Sequence, residues 1–145
     1  MTTKSNHDDW WMSTGDYAKR MKGLSVNLLY RDVMAAVPFH TEVLGATLEF
    51  ANADFASFEF DGFTWMLHAD HTYDKHPLHR MLSAGLDRGV GAELRLHGRA
   101  PDAACEAADR LGCKILERAT SKGHGTREAF IFDTEGYLWV PDVLI

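Results

Sequence analysis

Apolar and polar residues alternate through "ATLEF" (46–50), "FASFEF" (55–60) and "GFTWMLHAD" (62–70), and again through "CKILE" (113–117), "EAFIFD" (128–133) and "GYLWVPD" (136–142). A period of two predicts strands, because successive side chains point to opposite faces. Asp61-Gly62 and Glu135-Gly136 supply the turns of two hairpins. Ahead of each triplet lies one more strand pattern, "LSVNLLY" (24–30) and "AELRLH" (92–97), followed by a helical stretch. The helices are "VMAAVPFHTEVLG", ending at Gly45, and "PDAACEAADRLG", ending at Gly112; glycine stops a helix by taking the left-handed conformation. The order strand, helix, strand, strand, strand therefore occurs twice, an internal repeat that governs the fold. Pro38 is compatible with the first helix only in its first turn, which predicts a start near Ala35.

Residues 1–23 fall outside the repeat. Within them "STGDYAKRMKG" predicts a short helix capped by Ser13 or Thr14 and stopped by Gly23. This extension, with Trp10 and Trp11, is expected to serve packing, a dimer or a docked partner. Residues 24–145 form one domain: a first unit at 24–70, a linker at 71–90 carrying His71, His76 and His79, and a second unit at 91–145.

Alternation also sorts side chains by face. Glu93, Arg95 and His97 share one side of their strand, opposite Ala92, Leu94 and Leu96. Ser25, Asn27 and Leu29 oppose Val26, Leu28 and Tyr30. In the paired strands Phe63, Trp65, Tyr137 and Trp139 oppose Thr64, Met66, His68, Leu138, Val140 and Asp142, and either set could be the buried one.

A chain of 145 residues, 46% hydrophobic and 25% charged, can bury a core without disulfide or metal support. Its net charge of −6 argues against a nucleic-acid partner. No apolar run is long enough to span a bilayer and no secretory signal opens the chain, so no membrane partner and a cytoplasmic location are expected. Cys105 and Cys113 fit that compartment as free thiols.

The repeat, together with Phe39, Val43-Leu44-Gly45 and "FDTEGYLWV" (132–140), resembles the glyoxalase, bleomycin-resistance and extradiol dioxygenase group, the vicinal oxygen chelate superfamily. The resemblance implies an α+β fold in which tandem βαβββ units build a curved eight-stranded mixed sheet, a cup, often in homodimers. It further implies that Thr64, Met66, His68, Leu138, Val140 and Asp142 face the cup while the aromatics pack on the helices. The four metal slots of the family fall on Ser25, Met66, Glu93 and Val140, of which only Glu93 could be a ligand. No metal residue and no cofactor are expected; a divalent metal on an altered ligand set is the alternative.

Ionisable groups facing one cleft mark a candidate site. Glu93, His97 and His68 are candidate proton-transfer residues, with Arg95 holding an anionic or carbonyl oxygen. Asn27, Thr64, Met66, Arg95, Leu138, Val140 and Asp142 are candidate ligand contacts. The competing reading makes Glu93 and Arg95 a structural ion pair. The histidine spacing of the linker matches no zinc pattern and is read as an exposed connector. "SKGHGTR" (121–127) is either a flap bringing Lys122, His124 or Arg127 over the cup or a solvated strand connector. The leading expectation is a protein that binds a small organic molecule without the usual metal; the alternatives are a glyoxalase-like lyase, isomerase or dioxygenase, and an interaction protein.

Overall fold

The computed structural model describes residues 11–145; Trp10 lies outside the described residues. Strands β1 (Asn27–Tyr30), β2 (Thr47–Ala51), β3 (Phe55–Phe60) and β4 (Phe63–Ala69) form one sheet in the order β1-β4-β3-β2. Strands β5 (Leu94–His97), β6 (Ile115–Ser121), β7 (Thr126–Phe132) and β8 (Leu138–Leu144) form another in the order β5-β8-β7-β6. In both, the first strand runs parallel to the last and the remaining pairs are antiparallel. Two mixed sheets with a few helices are the α+β fold that the resemblance implies. The strand expected from residue 92 starts at Leu94, because Gly91 takes φ +86° and Ala92 N–H donates to Gly89, which keeps the chain in a turn until then.

Packing divides the chain into two compact units. Of the described residues, one joins 11–34 with Thr47–Ala84, and the other joins Ala35–Ala46 with Gly85–Ile145. Most of the helical segment between β1 and β2 thus packs with residues far along the chain.

In the first unit, α1 (Thr14–Lys19) is capped by Ser13, whose hydroxyl accepts from Asp16 N–H at 3.1 Å. It ends at Lys19, short of the expected stop at Gly23. Tyr17 is its one buried side chain and packs with Phe55 and Met66 on the sheet, where Trp11, Met12 and Phe50 join the cluster. Trp65 is buried and stacked on Phe58, but Phe63 is 75% exposed. It pairs with Phe60 at the hairpin end beside Asp61-Gly62, which corrects the expectation that all the aromatics pack on helices.

Helix α2 (Val33–Pro38) begins two residues earlier than Pro38 had suggested, so the proline ends the helix instead of opening it. Proline has no N–H to continue the ladder, and the chain widens into a π-helical turn, Phe39–Val43, closed by Leu44 N–H to Phe39 C=O. That turn buries Phe39, His40 and Val43 in the second unit. It packs against α4 (Pro101–Leu111), whose buried Ala104, Cys105, Ala107 and Ala108 are small enough for close approach. Arg99 donates to the carbonyls of Val43 at 2.9 Å and Glu42 at 3.1 Å, satisfying acceptors left open at the end of the turn. Trp139 faces the same helical layer, edge-on to His40.

The stretch expected to be a plain linker contains a 3-10 turn, Asp70–Tyr73, and a short helix α3 (His79–Ser83). Among the described residues no helix is long and apolar enough to cross a membrane.

Candidate functional site

The parallel pairing of β5 with β8 aligns Arg95 with Val140 and His97 with Asp142, and the β7–β8 register aligns Asp142 with Glu128. Residues in register share a face, so Arg95, His97, Asp142 and Glu128 are brought together by strand geometry alone. Asp142 and Glu128 are both buried. Two adjacent carboxylates repel unless a cation lies between them, and here it is Arg95: Nη2 lies 2.5 Å from Glu128 and 3.1 Å from Asp142, while Nη1 reaches Glu93 at 3.1 Å. Desolvation acts to raise the Glu128 pKa, but hydrogen bonds from Arg95 and Thr126 and the nearby Arg95 and His124 outweigh it, leaving the carboxyl below its ordinary value.

His97 Nδ1 lies 2.8 Å from Asp142 Oδ1. An ionised carboxylate only accepts, so Nδ1 carries the proton and Nε2 of the neutral ring is left as an acceptor on a side chain that is 76% exposed. The hydroxyl of Thr126 donates to Glu128 at 3.0 Å and can therefore only accept from His124 Nε2, 2.7 Å away. Two exposed imidazoles are thus held in defined tautomers by buried carboxylates. Arg95, expected to hold a ligand oxygen, directs its donors to the protein's own acids. Glu93, which precedes β5, is exposed and bonded to that guanidinium. Val140 is fully buried beside them and Leu138 half-buried.

The other expected residues belong to the first unit. Register aligns Asn27 with Met66, Leu29 with His68, Ser57 with Met66 and Glu59 with Thr64, so Asn27, Thr64, Met66 and His68 do share a face. Asn27 and Thr64 are exposed. Met66, expected to line an open cup, is buried under Tyr17. His68 packs its ring 5.0 Å from Phe55 and 5.8 Å from Tyr73.

Each of the four positions that the resemblance assigns to a metal can be described by itself. Ser25 stands before β1, Met66 offers a buried thioether, Val140 offers no donor atom, and Glu93 is bonded to Arg95. Among the described residues no group of three or more His, Cys, Asp or Glu is arranged to hold a metal. The linker histidines make local contacts: His71 Nε2 to buried Asp54 at 2.6 Å, His76 Nδ1 accepting from Leu78 N–H at 3.1 Å, and His79 to Ser83 at 3.4 Å. His71 and His79, with Asp70, Asp74, Leu82 and Ser83, line an open groove of about 200 Å³. The 121–127 stretch is a hairpin in which Arg127 turns onto α4, bonding both oxygens of Asp102 at 2.7 Å, and Lys122 pairs with Glu117.

Sequence reasoning missed Glu128, Thr126, Ser57 and Tyr17. Glu128 carried a readable signal: it stands two positions from Phe130 and out of phase with Ala129 and Ile131, the buried pair on the helix side. Tyr17 carried none, because its partners lie on strands much later in the chain.

A family model described as the Glyoxalase/Bleomycin resistance protein/Dioxygenase superfamily matches residues 24–140. In fold, the chain is similar to a glyoxalase-related enzyme from Fulvimarina pelagi, with 19% identity over 84% of this chain and 87% of that one and a TM-score of 0.66. A glyoxalase/bleomycin resistance protein/dioxygenase family enzyme from Burkholderia phytofirmans shares 16% identity over 83% and 97% of the two chains, TM-score 0.66. The fosfomycin resistance protein FosX from Listeria monocytogenes shares 16% identity over 86% and 95%, TM-score 0.62. No curated protein sequence matches the chain.

Proposed function

Because the chain belongs to the glyoxalase/bleomycin resistance protein/dioxygenase superfamily, we propose that it binds a small organic molecule on the polar face of its second sheet, without the usual metal site of that group. The observation that carries this reading is the Arg95 cluster: three carboxylates fixed around one guanidinium, flanked by two exposed imidazoles. Acids outnumber the guanidinium, and the imidazoles expose acceptors, so the ligand presents hydrogen-bond donors or a positive group. In this reading the protein works in the cytoplasm as a homodimer. A panel of amine- and hydroxyl-bearing compounds should contain members that raise the melting temperature of the wild type by several degrees and leave His97→Ala unmoved. If no compound shifts either the melting temperature or the tryptophan fluorescence, the binding reading fails.

One observation favours a second reading, an enzyme. The Asp142–His97 pair leaves Nε2 as a base that could take a proton from a substrate, as a metal-free isomerase or lyase requires. Asp142→Asn would present the wrong tautomer and lower turnover while leaving ligand affinity within a few-fold. Turnover unchanged in both Asp142→Asn and His97→Gln would remove this role.

A further inference from the structure

The face of the first sheet that carries Met66 and His68 is covered by the chain's own N-terminal segment. The Tyr17 ring stands edge-on to Phe55, with centroids 5.7 Å apart, over Met66. Trp11 closes the far side, stacked on Phe50 and edge-on to Tyr17 at 6.0 Å. The phenol oxygen lies 3.2 Å from Ser57 Oγ, and Ser57 Oγ lies 2.9 Å from Glu49 Oε1. The one proton of the serine goes to the carboxylate, so Tyr17 must be the donor in the first bond. Arg20 completes the arrangement, bonding Glu49 at 2.7 Å and lying over both the Trp11 and Tyr17 rings. Trp11 and Arg20 belong to the segment that carries Tyr17, whereas the sheet itself supplies Phe50, Phe55 and Met66 as an apolar floor with Ser57 Oγ as the acceptor beside it, a site shaped around a ring that carries a hydroxyl.

The segment that supplies the ring is short. Its helix has six residues and buries a single side chain; Met21 and Leu24 beyond it are exposed, and Gly23 takes φ +61°. Among the described residues the buried Trp11 indole N–H has no hydrogen-bond partner.

We propose that residues 11–20 are a tethered occupant of a ligand site on the first sheet, and that this site takes a planar aromatic ring bearing a hydrogen-bond donor, the phenol class. A phenol entering this site replaces Tyr17 between Phe55, Met66 and Ser57, and the segment swings out about the 20–24 stretch. The site uses none of the residues of the Arg95 cluster, so either proposal can fail without the other.

The probe is p-cresol, the free equivalent of the tyrosine side chain, titrated calorimetrically into the full chain. Tyr17→Ala should bind one p-cresol per chain at least tenfold more tightly than the wild type, in which Tyr17 competes, and should bind toluene at least tenfold more weakly than p-cresol. Saturating p-cresol should speed tryptic cleavage of the wild type after Arg20 and Lys22. Tyr17→Phe keeps the ring and removes the donor; it should bind p-cresol several-fold more tightly than the wild type, and it serves if Tyr17→Ala does not fold. Equal affinity of these variants and the wild type, no preference for p-cresol over toluene, or cleavage unaffected by p-cresol would each overturn the proposal.

Discussion

His40 meets Trp139 edge to face, ring centroids 5.3 Å apart and planes at 88°, with none of the imidazole exposed. Burial pushes its pKa down to about 3, so the ring is neutral in the folded protein and its protonation is coupled to unfolding.

Acid should therefore destabilise the second unit in part through His40. The unfolded state binds a proton near the ordinary histidine value and the folded state does not. The stabilisation is complete above that value and is lost as the pH falls towards 3. Between pH 6.5 and 4 the loss amounts to about 3 kcal/mol. Urea denaturation of the wild type and His40→Leu at both pH values checks this, and equal slopes in the two proteins would contradict it.

Removing the Arg95 guanidinium leaves Glu128 and Asp142 side by side and uncompensated. Arg95→Met should lose roughly 2 kcal/mol at pH 7, below the value for a fully buried pair because the guanidinium is partly exposed. The Glu128 pKa is held low in the wild type, so the stability that Arg95 confers through it is present above the ordinary carboxylate range and fades as the pH falls through the lowered value. The gap between wild type and variant should narrow from pH 7 to pH 4; a constant gap would mean that the arginine acts through packing alone.

Gly89 has φ +70°, and a β-carbon there would lie 2.7 Å from Tyr137 Cδ1 and 2.9 Å from Tyr137 Cα. Gly85 has nearly the same φ, +69°, with open space around it. Alanine should cost about 1 kcal/mol at Gly85, the strain of the conformation alone, and more than about 2 kcal/mol at Gly89, where backbone must move. Melting curves of the two variants separate these terms, and equal shifts would rule out the steric one.

Neither cysteine is suited to react. Cys105 is buried, and desolvation together with the Asp133 charge raises the Cys113 thiol above its ordinary pKa. An Ellman reagent at pH 7 should label native protein slowly and both thiols promptly in denaturant. Rapid native labelling of Cys113 would place it in a different environment.

The strands and their faces were legible because burial enforces a period of two: Arg95, His97, Val140 and Asp142 fall on one side and Leu96 and Trp139 on the other, as alternation required. Pro38 misled, since proline ends a helix and forces a wide turn as readily as it opens one. The Arg95 network was half legible. Glu93, Arg95, His97 and Asp142 could be grouped by phase, but Glu128 reaches them through a cross-strand register that no local pattern encodes. Tyr17 over Met66 was not legible for the same reason: the contact depends on chain closure between distant segments.

The allocation of Ala35–Ala46 to the second unit has a consequence for how the molecule comes into being. On the ribosome this segment emerges well before α4, the helix it will rest against, and is flanked on both sides by residues that belong to the other unit. It must wait, unsheltered, until α4 has followed it out. The two units therefore do not mature as beads finished one after the other: the turn that follows α2 finds its place only once α4 has been made.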